Sequence, residues 1–343
     1  MKIDKVIFSS SEEYSCWWNV QSKVWKTFLN IDPVLLLYGS KKKHNLSEEY
    51  GQIIECKYEE PPTSSIFGDL RSFNMRQLIF NKWYYTQNEP ETTWLVGDID
   101  LLPLQKNHFI KNISEIPDDY YVHLCSNRLP RRLTGHYHVA KGKTFSAILE
   151  LQRSLVEHSF AQLAGAQELT KTDWESLNTQ PAHGGSVWTY EEYYTTDLIK
   201  KNIPSLNASS MESHHWFNHF DKFTGFIAPQ YRKLQPKARL HEELKEDFLK
   251  KYGFDDKTIL PHSFPYEEQL RNEDSRQHKE LLTLNLTESE LESGIRNLSN
   301  KNLDLNLLKN GYYIDMHCHH PKNCHMIDDR VWPILNAAFN DKP

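Results

Sequence analysis

Residues 94–104 read W-L-V-G-D-I-D-L-L-P-L, and the fold follows from how this run is taken. Trp94, Leu95 and Val96, then Leu101 and Leu102, form a short apolar run interrupted by two acids. Such a run suits a strand buried on both faces, as the strands of parallel sheets are. On an extended backbone Asp98 and Asp100 project to one side and Ile99 to the other. Two carboxylates at the end of an apolar strand repel, and both are poorly solvated unless something positive lies between them. A hard divalent cation, Mn²⁺ or Mg²⁺, itself bound to phosphate oxygens, meets that need. Pro103 then ends the ladder. The competing reading is a polar strand end that leads into the next turn. Position favours the cation, because open α/β sheets bind ligands at the carboxyl ends of their strands.

Upstream, strands and helices alternate. Residues 5–9 (K-V-I-F-S) form a first strand followed by a polar loop, which places Phe8, Ser9 and Ser10 at its ligand-facing end. Residues 16–29 carry Trp18, Trp25, Phe28 and Leu29 at helical spacing, with Trp17 and Trp18 expected in the core. Residues 33–38 and 52–58 read as second and third strands. From 69 to 85 an amphipathic helix shows a stripe of Leu70, Phe73, Gln77 and Phe80. Its Arg71 and Arg76 precede the acidic strand, and Arg76 is a candidate for a diphosphate or base because a planar guanidinium matches phosphate oxygens in pairs. Neither G-x-G-x-x-G nor a P-loop occurs, so phosphate has to be held some other way.

Composition sets the outer bounds. The chain has 343 residues, 38% hydrophobic and 12% aromatic, enough for one large α/β domain or two modest ones. A net charge of −6 argues against a surface that coats nucleic acid, while leaving room for a local basic cleft. Cys16, Cys56, Cys125, Cys318 and Cys324 are odd in number and scattered, which fits free thiols in a reducing compartment. No signal-peptide region or membrane-length apolar stretch is present. The expectation is a cytoplasmic protein.

Downstream, residues 120–125 suggest another strand, followed by a basic loop with Arg128, Arg131 and Arg132. Residues 135–142 (G-H-Y-H-V-A-K-G) suit a strand or loop edging a cleft, with His136 and His138 on one side if extended. Residues 144–164 read as one amphipathic helix stopped by Gly165. Gly184 and Gly185 allow a ligand close to the backbone. The acids Glu191 and Glu192 follow, with Thr189 and Glu192 spaced as a capping box at a helix start. Residues 204–310 are polar, with charged helical pieces, and residues 311–325 combine an extended segment with His317, His319, His320 and His325.

The D-I-D strand end after this alternation resembles the D-x-D of GT-A glycosyltransferases, which hold a nucleotide-sugar diphosphate through a divalent metal. The resemblance implies an α/β, Rossmann-like GT-A fold, a mixed and mostly parallel sheet flanked by helices, with a helical C-terminal extension. It divides the chain into a nucleotide-sugar-binding and catalytic core at 1–203, a mostly helical acceptor side at 204–310, and a segment at 311–343 returning to the metal site. It places Phe8, Ser9, Ser10, Arg76, Asp98, Ile99, Asp100, Gly184 and Gly185 around the donor. It implies a metal shell of Asp98, Asp100 and a late His, for which His317 is chosen ahead of His319 and His320. Imidazole in the shell favours Mn²⁺ over Mg²⁺. Glu191 or Glu192 is then the general base if the enzyme inverts, or stabilises the positively charged sugar if it retains configuration, although Glu-Glu departs from the usual Asp-containing pattern. The implied partners are a nucleotide-sugar donor, UDP-linked by expectation, and an acceptor hydroxyl on a glycan, a protein or a hydroxylated DNA base. The rival readings are a metal-dependent nucleotidyl or phosphoryl transferase and a non-catalytic glycan- or nucleic-acid-binding protein.

Overall fold

The computed structural model describes residues 1–61, 70–103, 106–110, 113–114, 116–124, 133, 135–168, 186–203, 226–229, 315–317 and 336. For 107–108, 166–168, 186–190, 200, 226–229 and 315–317 the description is of the backbone. Among the described residues seven strands form one sheet. In spatial order they are β3 (Gln52–Cys56), β2 (Asp32–Tyr38), β1 (Lys5–Ser11), β4 (Thr93–Val96), β7 (His138–Lys141), β6 (Tyr120–His123) and β8 (Phe226–Pro229). The first four are mutually parallel, and β7, β6 and β8 add antiparallel. This is an α/β chain with a mixed sheet. β8 comes from beyond residue 203, so the sheet draws in a strand from the region expected to be helical.

Side-chain alternation along β1 sets the two faces. Ile7 shares one buried cluster with Phe80 and Trp83 of α2 (Leu70–Tyr84) and with Leu198 and Ile199 of α6 (Ser186–Asn202). Phe8 turns the other way, onto Trp25, whose ring meets Phe109 edge-on at 5.3 Å. Ile7, Phe8 and Phe80 are fully buried, each contributing about 1.5–3 kcal/mol through area removed from water. Trp17 and Trp18 are core residues, as expected. No helix among the described residues is long and apolar enough to cross a membrane.

Three local readings need correction. Residues 94–104 are not one strand: β4 ends at Val96, residues 99–100 form a turn closed by Leu101 N–H donating to the Asp98 carbonyl (3.1 Å), and β5 (Leu101–Pro103) starts a separate ladder. Gly97 sits at the break, where a Cβ would stand 2.7 Å from the Phe8 ring. Strand alternation therefore does not set where Asp98 and Asp100 point. Residues 144–164 are two helices, α4 (Gly142–Ile148) and α5 (Leu155–Glu168), and Gly165 lies inside the second. Glu150 adopts a left-handed φ of 54° between them. Ser154 and Glu157 then exchange backbone-to-side-chain hydrogen bonds (Ser154 N–H to Glu157 Oε2, 2.7 Å; Glu157 N–H to Ser154 Oγ, 3.2 Å), a capping box that starts α5. Ser154→Ala is expected to cost about 1 kcal/mol in chemical unfolding. Third, Cys16 is disulfide-bonded, whereas Cys56 is a free thiol. The reducing compartment inferred from the cysteine count loses that support.

Candidate functional site at the end of the fourth strand

The sheet order reverses between β1 and β4. From β1 the chain moves outward to β2 and β3, then crosses back to β4 on the other side. Open α/β sheets bind ligands in the crevice at such a switch point. Asp98 and Asp100 lie directly beyond β4, and Ser9 and Ser10 lie in the carboxyl-terminal half of β1 (Lys5–Ser11).

Asp98 does not stand alone. Lys82, near the end of α2, donates to Asp98 Oδ1 at 2.5 Å and to the Gly135 carbonyl at 2.8 Å. His136 Nδ1 lies 3.4 Å from Asp98 Oδ2. The Lys82 side chain is 5% exposed and that of Asp98 36%. Burial would raise the Asp98 carboxyl, but the Lys82 ammonium and the His136 ring hold it well below the usual carboxylate range. Burial likewise works against the Lys82 charge, and the carboxylates facing it, Asp98 foremost, outweigh it, so its ammonium is strengthened.

The acid pair of α6 joins the same cluster. Glu191 is 2% exposed and accepts a 2.6 Å hydrogen bond from Trp83 Nε1, next to Lys82 on α2. Half-buried Glu192 accepts from the Gly135 N–H at 3.1 Å. Gly135 is thus held by Lys82 at its carbonyl and by Glu192 at its amide. A Cβ on it would stand 2.9 Å from Glu191 Oε2, so a bare α-carbon lets the acid approach. Because α6 begins at Ser186, Thr189 is inside the helix and Glu192 closes no capping box with it. Burial pushes the Glu191 carboxyl up to about 8, over the opposing pull of Lys82.

That shift has a defined sign. The folded chain holds the Glu191 proton to about pH 8, and an unfolded chain releases it near the ordinary 4.5, so stability falls as pH rises across this interval. Glu191→Gln mimics the protonated acid and can keep the Trp83 bond. It should match wild type at pH 5 and melt higher than wild type at pH 8.5. Parallel pH profiles for the two proteins would refute this assignment.

His136 and His138 do not share a side. Tyr137 has φ 61°, which breaks the alternation, so His138 packs in the core against Trp83 (4.5 Å) and Tyr121 while His136 turns to Asp98. The other expected donor residues divide. The Phe8 ring belongs to the core. Ser9 Oγ donates to the Leu78 carbonyl (2.5 Å), Ser10 is buried, and Arg76 is buried within α2. Ile99 is buried, and its carbonyl accepts from Gln21 (2.9 Å). Gly184, Gly185, Arg128, Arg131, Arg132, His319 and His320 lie outside the described residues. The backbone of β9 (Asp315–His317) pairs antiparallel with β5, with His317 opposite Leu101, one residue beyond Asp100. Among the described residues no three His, Cys, Asp or Glu side chains converge as a metal-ligand set.

Lys82 is the site residue that sequence reasoning missed. A single lysine beside Trp83 on an apolar stripe was the available signal, since burial of an ammonium demands an acidic partner. Neither the protein-family models nor the curated proteins give a match for this chain.

Proposed function

We propose that the chain is a transferase acting on nucleotide-activated substrates through a divalent cation. More particularly, it is a GT-A type glycosyltransferase that moves a hexose or pentose from a UDP-linked donor to an acceptor hydroxyl. The observation that carries this reading is the gathering of Asp98, Glu191 and Glu192 around Lys82, Trp83 and Gly135, with Asp98 directly beyond β4 at the β1–β4 switch point.

The donor set fits a cation in part. Lys82 already supplies Asp98 with the positive charge that a metal would otherwise provide. Asp98 and Asp100, with His317, whose backbone lies opposite Leu101, as the imidazole ligand, would hold the cation. Oxygen and imidazole donors together suit Mn²⁺. When bound, the cation neutralises charge growing on the leaving diphosphate. Glu192, the more accessible of the acid pair, takes the acceptor proton, and buried Glu191 anchors α6 to α2 through Trp83. The acceptor is a glycan, a protein or a hydroxylated DNA base.

The test is release of UDP from a panel of UDP-sugars with Mn²⁺, repeated after chelation. Metal-dependent release supports the reading. Absence of both turnover and thermal stabilisation by any nucleoside diphosphate with Mn²⁺ would end it.

A further inference from the structure

The turn that carries Asp98 and Asp100 lies between the β4 and β5 ladders and belongs to neither, so its shape is held from outside. Lys82 holds the Asp98 side chain, and the Leu101 N–H holds the Asp98 carbonyl. The next peptide is held from α1 (Trp18–Lys23), where Gln21 Nε2 donates to the Ile99 carbonyl at 2.9 Å. A peptide group is planar, so fixing the Ile99 carbonyl also fixes the direction in which the chain enters Asp100.

Gln21 is fully buried, and its partners leave its amide a single orientation. Trp25 Nε1 donates to Gln21 Oε1 at 3.1 Å, and an indole N–H can only donate. The Ile99 carbonyl can only accept, so the amide nitrogen has to face the turn. Trp25 is itself fully buried against Phe8 and Phe109. An apolar side chain of similar length would fill this place without the cost of desolvating an amide. What Gln adds over Met or Leu is the link from the aromatic core to the turn. The helix also changes its winding here. Val24–Leu29, which includes Trp25, is a π-helix, a rare conformation that recurs at functional sites.

We propose that Gln21 is a positioning residue for the cation site. Anchored by Trp25, it fixes the Ile99–Asp100 peptide, so that Asp100 keeps the place from which it serves the cation with Asp98. This rests on the glycosyltransferase reading and adds a residue 78 positions away from the motif it supports.

Three substitutions separate positioning from general support of the fold. Gln21→Met keeps the length and bulk and removes both hydrogen bonds. Trp25→Phe leaves the Ile99 bond and frees the amide from its anchor. Phe73→Leu, at the Phe73–Phe160 contact in the core, weakens the fold without touching the turn. Mn²⁺ binding with UDP would be read from the electron paramagnetic resonance signal of free Mn²⁺. UDP release at varied Mn²⁺ would be measured beside it, with melting curves to verify folding. The expected result is about tenfold weaker Mn²⁺ affinity in Gln21→Met, the low end for a supporting contact behind a metal ligand, with turnover restored at saturating Mn²⁺. Trp25→Phe should lose less, and Phe73→Leu nothing. Wild-type Mn²⁺ affinity in folded Gln21→Met overturns the proposal and leaves the function intact. Should that variant fail to fold, wild-type affinity in Trp25→Phe overturns it equally. An equal loss in Phe73→Leu also overturns it, because loosening of the core would then account for the change. A wild-type protein that neither binds Mn²⁺ with UDP nor releases UDP overturns this proposal and the glycosyltransferase reading together.

Discussion

Lys82→Met is expected to lower the unfolding free energy by about 3 kcal/mol in urea titrations at neutral pH. Met matches the length of the lysine stem and removes the ammonium, so the loss comes from what it leaves behind. Asp98 would keep its charge with only His136 beside it, and the Gly135 carbonyl would lose its 2.8 Å donor. The figure sits at the low end for a broken buried pair because the Asp98 side chain is about a third exposed and water can enter. Lys82→Met/Asp98→Asn should recover a large part of the loss, since neither charge then remains to be paired. A double-mutant cycle with no coupling would show that the 2.5 Å contact contributes nothing to stability. Glu191 adds an internal check: without the ammonium that opposes its protonation, its carboxyl should titrate higher than in wild type.

The parts of the fold that were legible in the sequence are those whose signals are local. The runs at 5–9, 33–38 and 52–58 gave three strands, and the stripe through Phe73 and Phe80 gave α2, because both periods depend on neighbouring residues. The D-I-D run was misread because two apolar pieces separated by four residues look continuous. Gly97 followed by Asp98 was the turn signal within it. Apolar spacing also ran on from α4 into α5, masking a break that Ser154 and Glu157 marked with their capping pattern. The clustering of the site was not legible. Lys82 and Asp98 are 16 residues apart, Gly135 and Glu192 are 57 apart, and Trp83 and Glu191 are 108 apart. No period in the chain encodes which distant partners meet. The acids were visible one by one, and their meeting depended on α2 and α6 packing over the same sheet face.

Asp100→Asn gives the other large effect, and on a different axis. Asp100 is partly exposed on a turn beyond β4, whereas Asp98 is held in the buried pairing with Lys82, so the readouts for Asp100→Asn are turnover and ligand binding on protein shown to fold. If Asp100 is an oxygen ligand of the cation, the amide loses the negative charge that a hard divalent ion requires. Metal-dependent release of UDP should then fall by about 10²–10³-fold, the scale on which losing a preorganised electrostatic contact acts. The thermal stabilisation by UDP with Mn²⁺ should vanish as well, where wild type at a hundred times its Kd would gain about 2.7 kcal/mol. Asp98→Asn offers the contrast, since it leaves Lys82 buried without its ion-pair partner and should damage folding along with activity. A folded Asp100→Asn protein with wild-type turnover would remove the cation from this acid. The charge at the switch point would then be answered by Lys82 and His136, within the protein's own side chains.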